Sequence, residues 1–356
     1  MSETISTAVT ELFNIKRPIL LAGMNVAAGP ELAAEVTNNG GLGVIGGVGY
    51  TPKFLKAQLD ELKSYLNDKN APFGVDLLLP QVGGSARKTN KDYTGGTLPQ
   101  LIDIIIESGA KLFVSAVGIP PKWAVDKLHG NGILCMNMIG APKHAAKALA
   151  VGVDIICAQG TEGGGHTGQV ATSVLIPMVV DSVRGKKSPL TGKQVPVIAA
   201  GGIFDGRGLA MALCLGADAV WVGTRFVAAE EAGAPPAHQK AVLRAGPHDT
   251  IRSTIYTGRP MRIIKNTYVV DAEENHAEEI KEFADRGIIY MQGDSRRRKE
   301  AGEEWSVQQQ MEARPQLMGQ ASAAIDAVEP ASKIMDEMIS GALATLRRGV
   351  GMAAKL

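Results

Sequence analysis

Pro196-Val-Ile-Ala-Ala-Gly-Gly-Ile-Phe-Asp-Gly-Arg-Gly-Leu-Ala-Met-Ala-Leu-Cys-Leu-Gly-Ala-Asp-Ala-Val-Trp-Val-Gly-Thr224 is the stretch on which the fold is decided. Pro196–Ala200 and Ala219–Gly223 are short and almost continuously apolar, as strands buried on both faces must be. Between them Asp205 is placed to cap a helix over Gly208–Leu215, and Gly216 is placed to end it. The stretch therefore reads as one strand–helix–strand unit with parallel strands. A glycine pair, Gly201-Gly202, follows the first strand, and Gly223-Thr224 follows the second.

The same alternation extends upstream. Pro18–Ala22, Gly43–Gly46, Phe73–Leu77, Lys111–Ser115, Gly132–Asn137 and Asp154–Ala158 are further runs of strand type. Helical spacing or punctuation separates them, as over Pro30–Asn38, Pro52–Leu66 and Thr97–Ser108. Eight strands alternating with helices can form an open doubly wound sheet or a closed (β/α)8 TIM barrel. The count of eight, with glycines at the ends of the last two strands, favours the barrel. Residues 230–315 are polar and charge-rich, with Arg296-Arg297-Arg298 and several glutamates. They read as a mostly helical insertion after strand eight, covering the active-site mouth. Residues 1–229 and 316–356 then make the barrel, closed by a helix near Ile325–Arg347.

Composition narrows the function. A formal net charge of +1 provides no field for nucleic acid or an anionic membrane, and 4% aromatic residues argue against a base-stacking platform. No apolar run reaches the length of a membrane span, and the first twenty residues lack the basic start and long apolar run of a signal peptide. Cys135, Cys157 and Cys214 are odd in number and widely spaced, as reduced thiols of a cytoplasmic protein would be. The terminal Ala354-Lys355-Leu356 is a loose variant of a peroxisomal ending, and a chance tripeptide is the favoured reading. The histidines other than His166 lack the spacing of a metal site, and no Gly-x-Ser-x-Gly turn follows a strand.

Barrel chemistry gathers where the strands end, with phosphate held after strands seven and eight. Backbone N–H groups at Gly201-Gly202 and Gly223-Thr224, beside the helix start near Asp205, suit a phosphate dianion. The sixth strand runs into Gln159-Gly-Thr-Glu-Gly-Gly-Gly-His166. Three successive glycines clear a face on which a flat ligand could lie, and His166 stands at the exit with an ordinary pKa near neutral. The ordinary alternative is a glycine-rich turn that happens to end in histidine.

These residues resemble the nitronate monooxygenases, formerly 2-nitropropane dioxygenases, along the whole chain. Pro18-Ile-Leu-Leu-Ala-Gly-Met24 resembles the family's first strand and its Ala-Pro-Met turn, with Gly23 in place of proline. Asn39–Gly43, Pro196–Gly208, Gly216–Phe226 and Thr257-Gly-Arg-Pro-Met-Arg262 match further family segments. Gln159–His166 resembles the family signature, with Gly163 in place of alanine.

The resemblance implies FMN, no metal, and His166 as the catalytic histidine. It implies flavin contacts from the backbone at Ala22, Gly23 and Met24. Gln159, Gly164 and Gly165 would lie along the ring edge or the ribityl chain, and Gly201, Gly202, Gly223 and Thr224 would hold the phosphate. Two departures fall at flavin-facing positions: Asp76 where many members have asparagine, and Asn137 where some have lysine. An ionised aspartate cannot donate a hydrogen bond.

The implied reaction is oxidation of alkyl nitronates by O2 to a carbonyl compound and nitrite. His166 would serve as base or as hydrogen-bond donor, helped by a pKa near neutral, and Arg259 and Arg262 would attract the anion. The substrate is a small molecule, and a homodimer is left open. The alternatives are an NAD(P)H-dependent reductase of enoyl thioesters or quinones on the same scaffold, and a flavin-binding protein without turnover. An IMP-dehydrogenase-like barrel needs a nucleophilic loop cysteine, whereas Cys135 and Cys157 lie in strands and Cys214 in a helix.

Overall fold

The computed structural model describes residues 4–79, 88–89 and 92–353, so the terminal Ala354-Lys355-Leu356 lies outside the described residues. Its strands are β1 Ile19–Leu21, β2 Gly43–Gly46, β3 Phe73–Leu78, β4 Leu112–Ala116, β5 Leu134–Ile139, β6 Ile155–Gln159, β7 Gly165–His166, β8 Val197–Ala200, β9 Ala219–Val222, β10 Thr250–Ser253 and β11 Met261–Ile264. Eight of them form one parallel sheet in the order β1-β9-β8-β6-β5-β4-β3-β2. The ring is closed by a parallel bridge between Leu20 and Leu42, where the Leu21 amide donates to the Leu42 carbonyl at 3.0 Å. These are the eight strands expected from the sequence, with ends shifted by up to two residues.

Period-two alternation explains why the strands read as continuous apolar runs. Leu20, Val44, Leu112, Val114, Met136, Ile155, Cys157, Ile198, Ala219 and Trp221 fill the barrel interior. Ile19, Ile45, Val75, Phe113, Cys135, Ile156, Ala199 and Val220 point outward into the shell of helices. Both faces exclude water, so neither face selects polar residues.

The helix Ala8–Phe13, which the sequence reading did not single out, is capped by Thr7. It sends Val9 and Phe13 into the interior cluster, alongside Leu134 and Ile155 from the strand starts. It therefore plugs the end of the barrel opposite the strand C-termini. Full burial of two such side chains contributes roughly 1.5–3 kcal/mol each. The final helix is Ala331–Ala353, beginning later than expected. Its tight packing on helix Gly206–Cys214 is permitted by Gly206, where a Cβ would strike the backbone of Gly341 and Ala342.

Segment 230–315 contains the helices Pro236–Arg244, Thr267–Asn275, Ala277–Asp285, Tyr290–Ala301 and Val307–Glu312, together with the antiparallel pair β10–β11. β11 also pairs with β7, in register Met261↔His166 and Arg262↔Gly165. No helix among the described residues is long and apolar enough to cross a membrane.

Candidate active site

The glycine-rich loop after β6 is held from several sides. The Glu162 carboxylate accepts from the Thr172 amide at 3.0 Å and the Thr172 hydroxyl at 2.9 Å, at the N-terminus of helix Thr172–Val183. Its carbonyl accepts from the Gln320 amide at 2.9 Å. The glycines themselves permit close contacts within the protein. A Cβ at Gly164 would lie 2.7 Å from the Gly319 nitrogen, and one at Gly163 would lie 2.5 Å from Gln159 Nε2. Gln159 is therefore turned inward along the loop, where Nε2 donates to the Gly164 carbonyl at 3.2 Å. The bare faces of Gly163 and Gly164 accordingly meet Gln159 and Met318-Gly319, which corrects the reading of the whole loop as a cleared platform.

His166 sits in β7, fixed by the β11 ladder, and is partly buried. Its Nε2 lies 3.1 Å from Thr257 Oγ1. That hydroxyl can donate to the Arg259 carbonyl at 3.1 Å, while its oxygen accepts from the Arg259 amide at 3.3 Å. The same hydroxyl lies 3.7 Å from Met261 Sδ. Thr257 is thus the partner of His166 Nε2, and which ring nitrogen carries the proton depends on where the hydroxyl's own proton points. Burial, and secondly the charge of Arg259, push the imidazole down to about 4, which corrects the expected pKa near neutral. His166 is neutral at pH 7. Thr257 was quoted in the sequence only as part of a motif. Its contact spans 91 positions, and no local pattern announces it.

Arg262 is taken up by the scaffold. Nε donates to the Thr161 carbonyl at 3.0 Å and Nη1 to Thr250 Oγ1 at 2.9 Å, tying the β10–β11 pair to the loop after β6. Of the two arginines expected to attract an anion, Arg259 is the one whose charge reaches His166.

The ends of β8 and β9 meet as expected for neighbours in register, with Ala200 opposite Trp221. Gly201 and Gly202 hold φ values of 94° and 73°, and among the described residues their N–H groups, like that of Gly223, donate to no protein acceptor. Asp205 caps the following helix by accepting from the Gly208 amide at 3.0 Å. Thr224 Oγ1 accepts from the Gly319 amide at 2.9 Å, so its proton remains available to donate. Unpartnered donors at two adjacent strand ends fit a phosphate group.

Next to Gly223, Ala22, Gly23 and Met24 continue from β1, which pairs with β9, and the Ala22 N–H donates to the Val222 carbonyl at 2.9 Å. Gly23 packs directly on Asp76. A Cβ there would lie 2.5 Å from Asp76 Oδ2. The two departures from the family pattern at 23 and 76 are thus one packing arrangement. Asp76 is buried, and desolvation raises its carboxyl well above the ordinary range. Burial therefore disfavours the ionised aspartate considered from sequence.

Asn137 does not join this group. Its Nδ2 donates to the carbonyls of Ser115 and Gly118 at 2.9 and 2.8 Å, tying β5 to the chain after β4. The neighbouring Met138, not Asn137, packs against the interior cluster. Its expected flavin contact is withdrawn, because one strand position determines which face a side chain takes.

The comparisons with known proteins agree with this geometry. The family model described as nitronate monooxygenase matches residues 6–341. An octahydroindene-4-carboxyl-CoA dehydrogenase of Rhodococcus jostii is 37% identical over 272 residues, covering 76% of this chain and 69% of that protein. A probable nitronate monooxygenase of Staphylococcus saprophyticus is 31% identical, covering 78% of this chain and 84% of that protein. Among solved structures, FabK from Thermotoga maritima superposes with a TM-score of 0.79 at 30% identity, over 98% of this chain and 100% of that one. The chain belongs to the nitronate monooxygenase family of oxidoreductases.

Proposed function

We propose that this enzyme binds FMN and oxidises alkyl nitronates with O2 to a carbonyl compound and nitrite. The observation that carries the reading is His166 held at Nε2 by Thr257, with its pKa lowered by burial and by the charge of Arg259; the reading assigns the proton to Nε2 and leaves Nδ1 as the acceptor. Gly201, Gly202, Gly223 and Thr224 would hold a single phosphate, as FMN requires, and Ala22, Gly23, Met24, Gln159, Gly164 and Gly165 would border the ring and ribityl chain. When bound, the flavin supplies the redox chemistry. The chain's part is to accept a proton at His166 Nδ1 when the substrate arrives as a neutral nitroalkane, and to favour the nitronate anion through Arg259. Segment 230–315, stitched to β7 through β11, would close over this mouth as a separate structural unit.

A second reading, flavin-dependent redox chemistry on a thioester, is favoured by the 37% identity to the CoA-ester dehydrogenase and the likeness to FabK. Anaerobic mixing separates the two. Propyl-2-nitronate is expected to bleach the flavin rapidly, and NADPH or NADH only slowly. Fast reduction by a pyridine nucleotide without response to nitronate would replace the monooxygenase reading with the reductase.

A further inference from the structure

Asp76 stands near the mouth end of β3, between Gly46 of β2 and Val114 of β4 in the sheet. Its neighbours Val75 and Leu77 belong to the outer shell, so by alternation the carboxyl is on the inner face. The residue is 3% exposed. Oδ1 is buried and has no hydrogen-bond partner among the described residues, and Oδ2 packs over Gly23. No described cation forms an ion pair with it. Desolvation is what acts on the carboxyl, while the buried Cys157 thiol of β6 is itself pushed up by burial and secondly by Asp76.

A carboxylate so placed has neither a counter-charge nor donors to replace water, and in such surroundings the group takes up a proton. Burial accordingly pushes Asp76 upward. The neutral acid has an O–H to donate, and no described residue makes a hydrogen bond with Oδ1. The neighbouring segment Ala22–Met24 is the one assigned to the ring. We propose that Asp76 is a neutral carboxylic acid that donates its proton in a hydrogen bond to an acceptor atom on the edge of the bound isoalloxazine. The proposal rests on the flavin reading above. It makes Asp76 a cofactor-tuning residue that acts through a donated hydrogen bond and adds no negative charge beneath the ring.

The test compares the wild type with Asp76→Asn, which keeps shape and a donor without a titrating proton, and Asp76→Leu, which removes the donor. Infrared difference spectra of the apo proteins at pH 7, wild type minus Asp76→Asn, are expected to show the carbonyl band of a protonated carboxylic acid. By flavin fluorescence, Asp76→Asn is expected to bind FMN within about threefold of wild type, and Asp76→Leu about tenfold more weakly. Absence of the acid band overturns the proposal. So does FMN binding at least about tenfold tighter in Asp76→Asn, the result of removing a buried anion from beneath the ring. Wild-type affinity in Asp76→Leu overturns it as well. If Asp76→Leu does not fold by circular dichroism, the band and the Asn variant decide between these outcomes. A wild-type protein that fails to bind FMN overturns the flavin reading together with this proposal, and that result is visible before any substitution is made.

Discussion

His166, the proposed catalytic residue, acts only in company. Partial burial and the charge of Arg259 hold it at about 4, so at neutral pH the imidazole is neutral and one ring nitrogen keeps a lone pair. Thr257 is the partner of Nε2, and on the proposed reading it leaves that lone pair on Nδ1. His166→Ala is expected to keep its flavin and to lose about 10²–10⁴-fold of kcat on a neutral nitroalkane, with a smaller loss on a pre-formed nitronate. Equal losses on both substrates, measured by nitrite release, would leave His166 a binding residue. Thr257→Val removes the acceptor for Nε2–H, and is expected to cost about tenfold in nitroalkane turnover at unchanged flavin content. Nitrogen NMR of the imidazole should then show mixed tautomers, and a single unchanged tautomer would exclude the positioning role.

The lowered value also bears on stability. Above the unfolded pKa of about 6.5, both states hold a neutral imidazole and no stability is at stake. As pH falls from there to about 4, the unfolded chain takes up the proton and the native one does not, which costs roughly 3 kcal/mol. Urea titrations should show the wild type losing that much relative to His166→Gln across this window. A parallel pH dependence in the two proteins would place the imidazole pKa near its ordinary value.

At the scale of elements, the candidate phosphate site is made by two neighbouring strand ends whose register places Gly201-Gly202 beside Gly223. Positive φ at Gly202 means that any substitution there is strained, and Asp and Asn tolerate that region best among side-chain residues. The informative comparison is therefore Gly202→Asp against Gly202→Asn, which share shape and strain and differ in charge. FMN retention after dialysis is expected to fall about tenfold or more further in the Asp variant, because a negative charge then faces the phosphate. Equal retention in the two would move the phosphate elsewhere. The glycines of the β6–β7 loop show how far local reading reached. Their lack of side chains was visible, but not the occupants of the freed space, because Met318-Gly319 returns to Gly164 from more than 150 positions away.

The whole molecule separates a stability end from a chemical end. Phe13 closes the barrel at the strand N-termini, while His166, Asp76 and Gly202 lie toward the opposite rim. Phe13→Ala opens a cavity in the plug and is expected to lower unfolding free energy by about 3–5 kcal/mol. FMN affinity and kcat at low temperature should stay within about twofold, since distant sites add independently. A large loss of flavin in the folded Phe13→Ala protein would show the two ends to be coupled. The mouth end instead depends on the β7–β11 pairing, which brings Thr257 and Arg259 to a histidine some ninety residues earlier.

The repeating pattern of eight apolar runs determined a parallel sheet covered on both faces, because such strands leave a continuous signal that needs no partner to be read, and the bridge between Leu20 and Leu42 closed it into a barrel. Glycine punctuation likewise marked the ends of β8 and β9, where the backbone conformation is a local demand. The resemblance placed His166 but not its state. Only the tertiary structure turned Asn137 away from the mouth, engaged Arg262 in the scaffold, buried Asp76 beneath Gly23 and locked His166 onto Thr257. These are matters of which face, which partner and how much water. They follow from packing between distant segments, which sets protonation and hydrogen bonding through desolvation and is not written in the spacing of neighbouring residues.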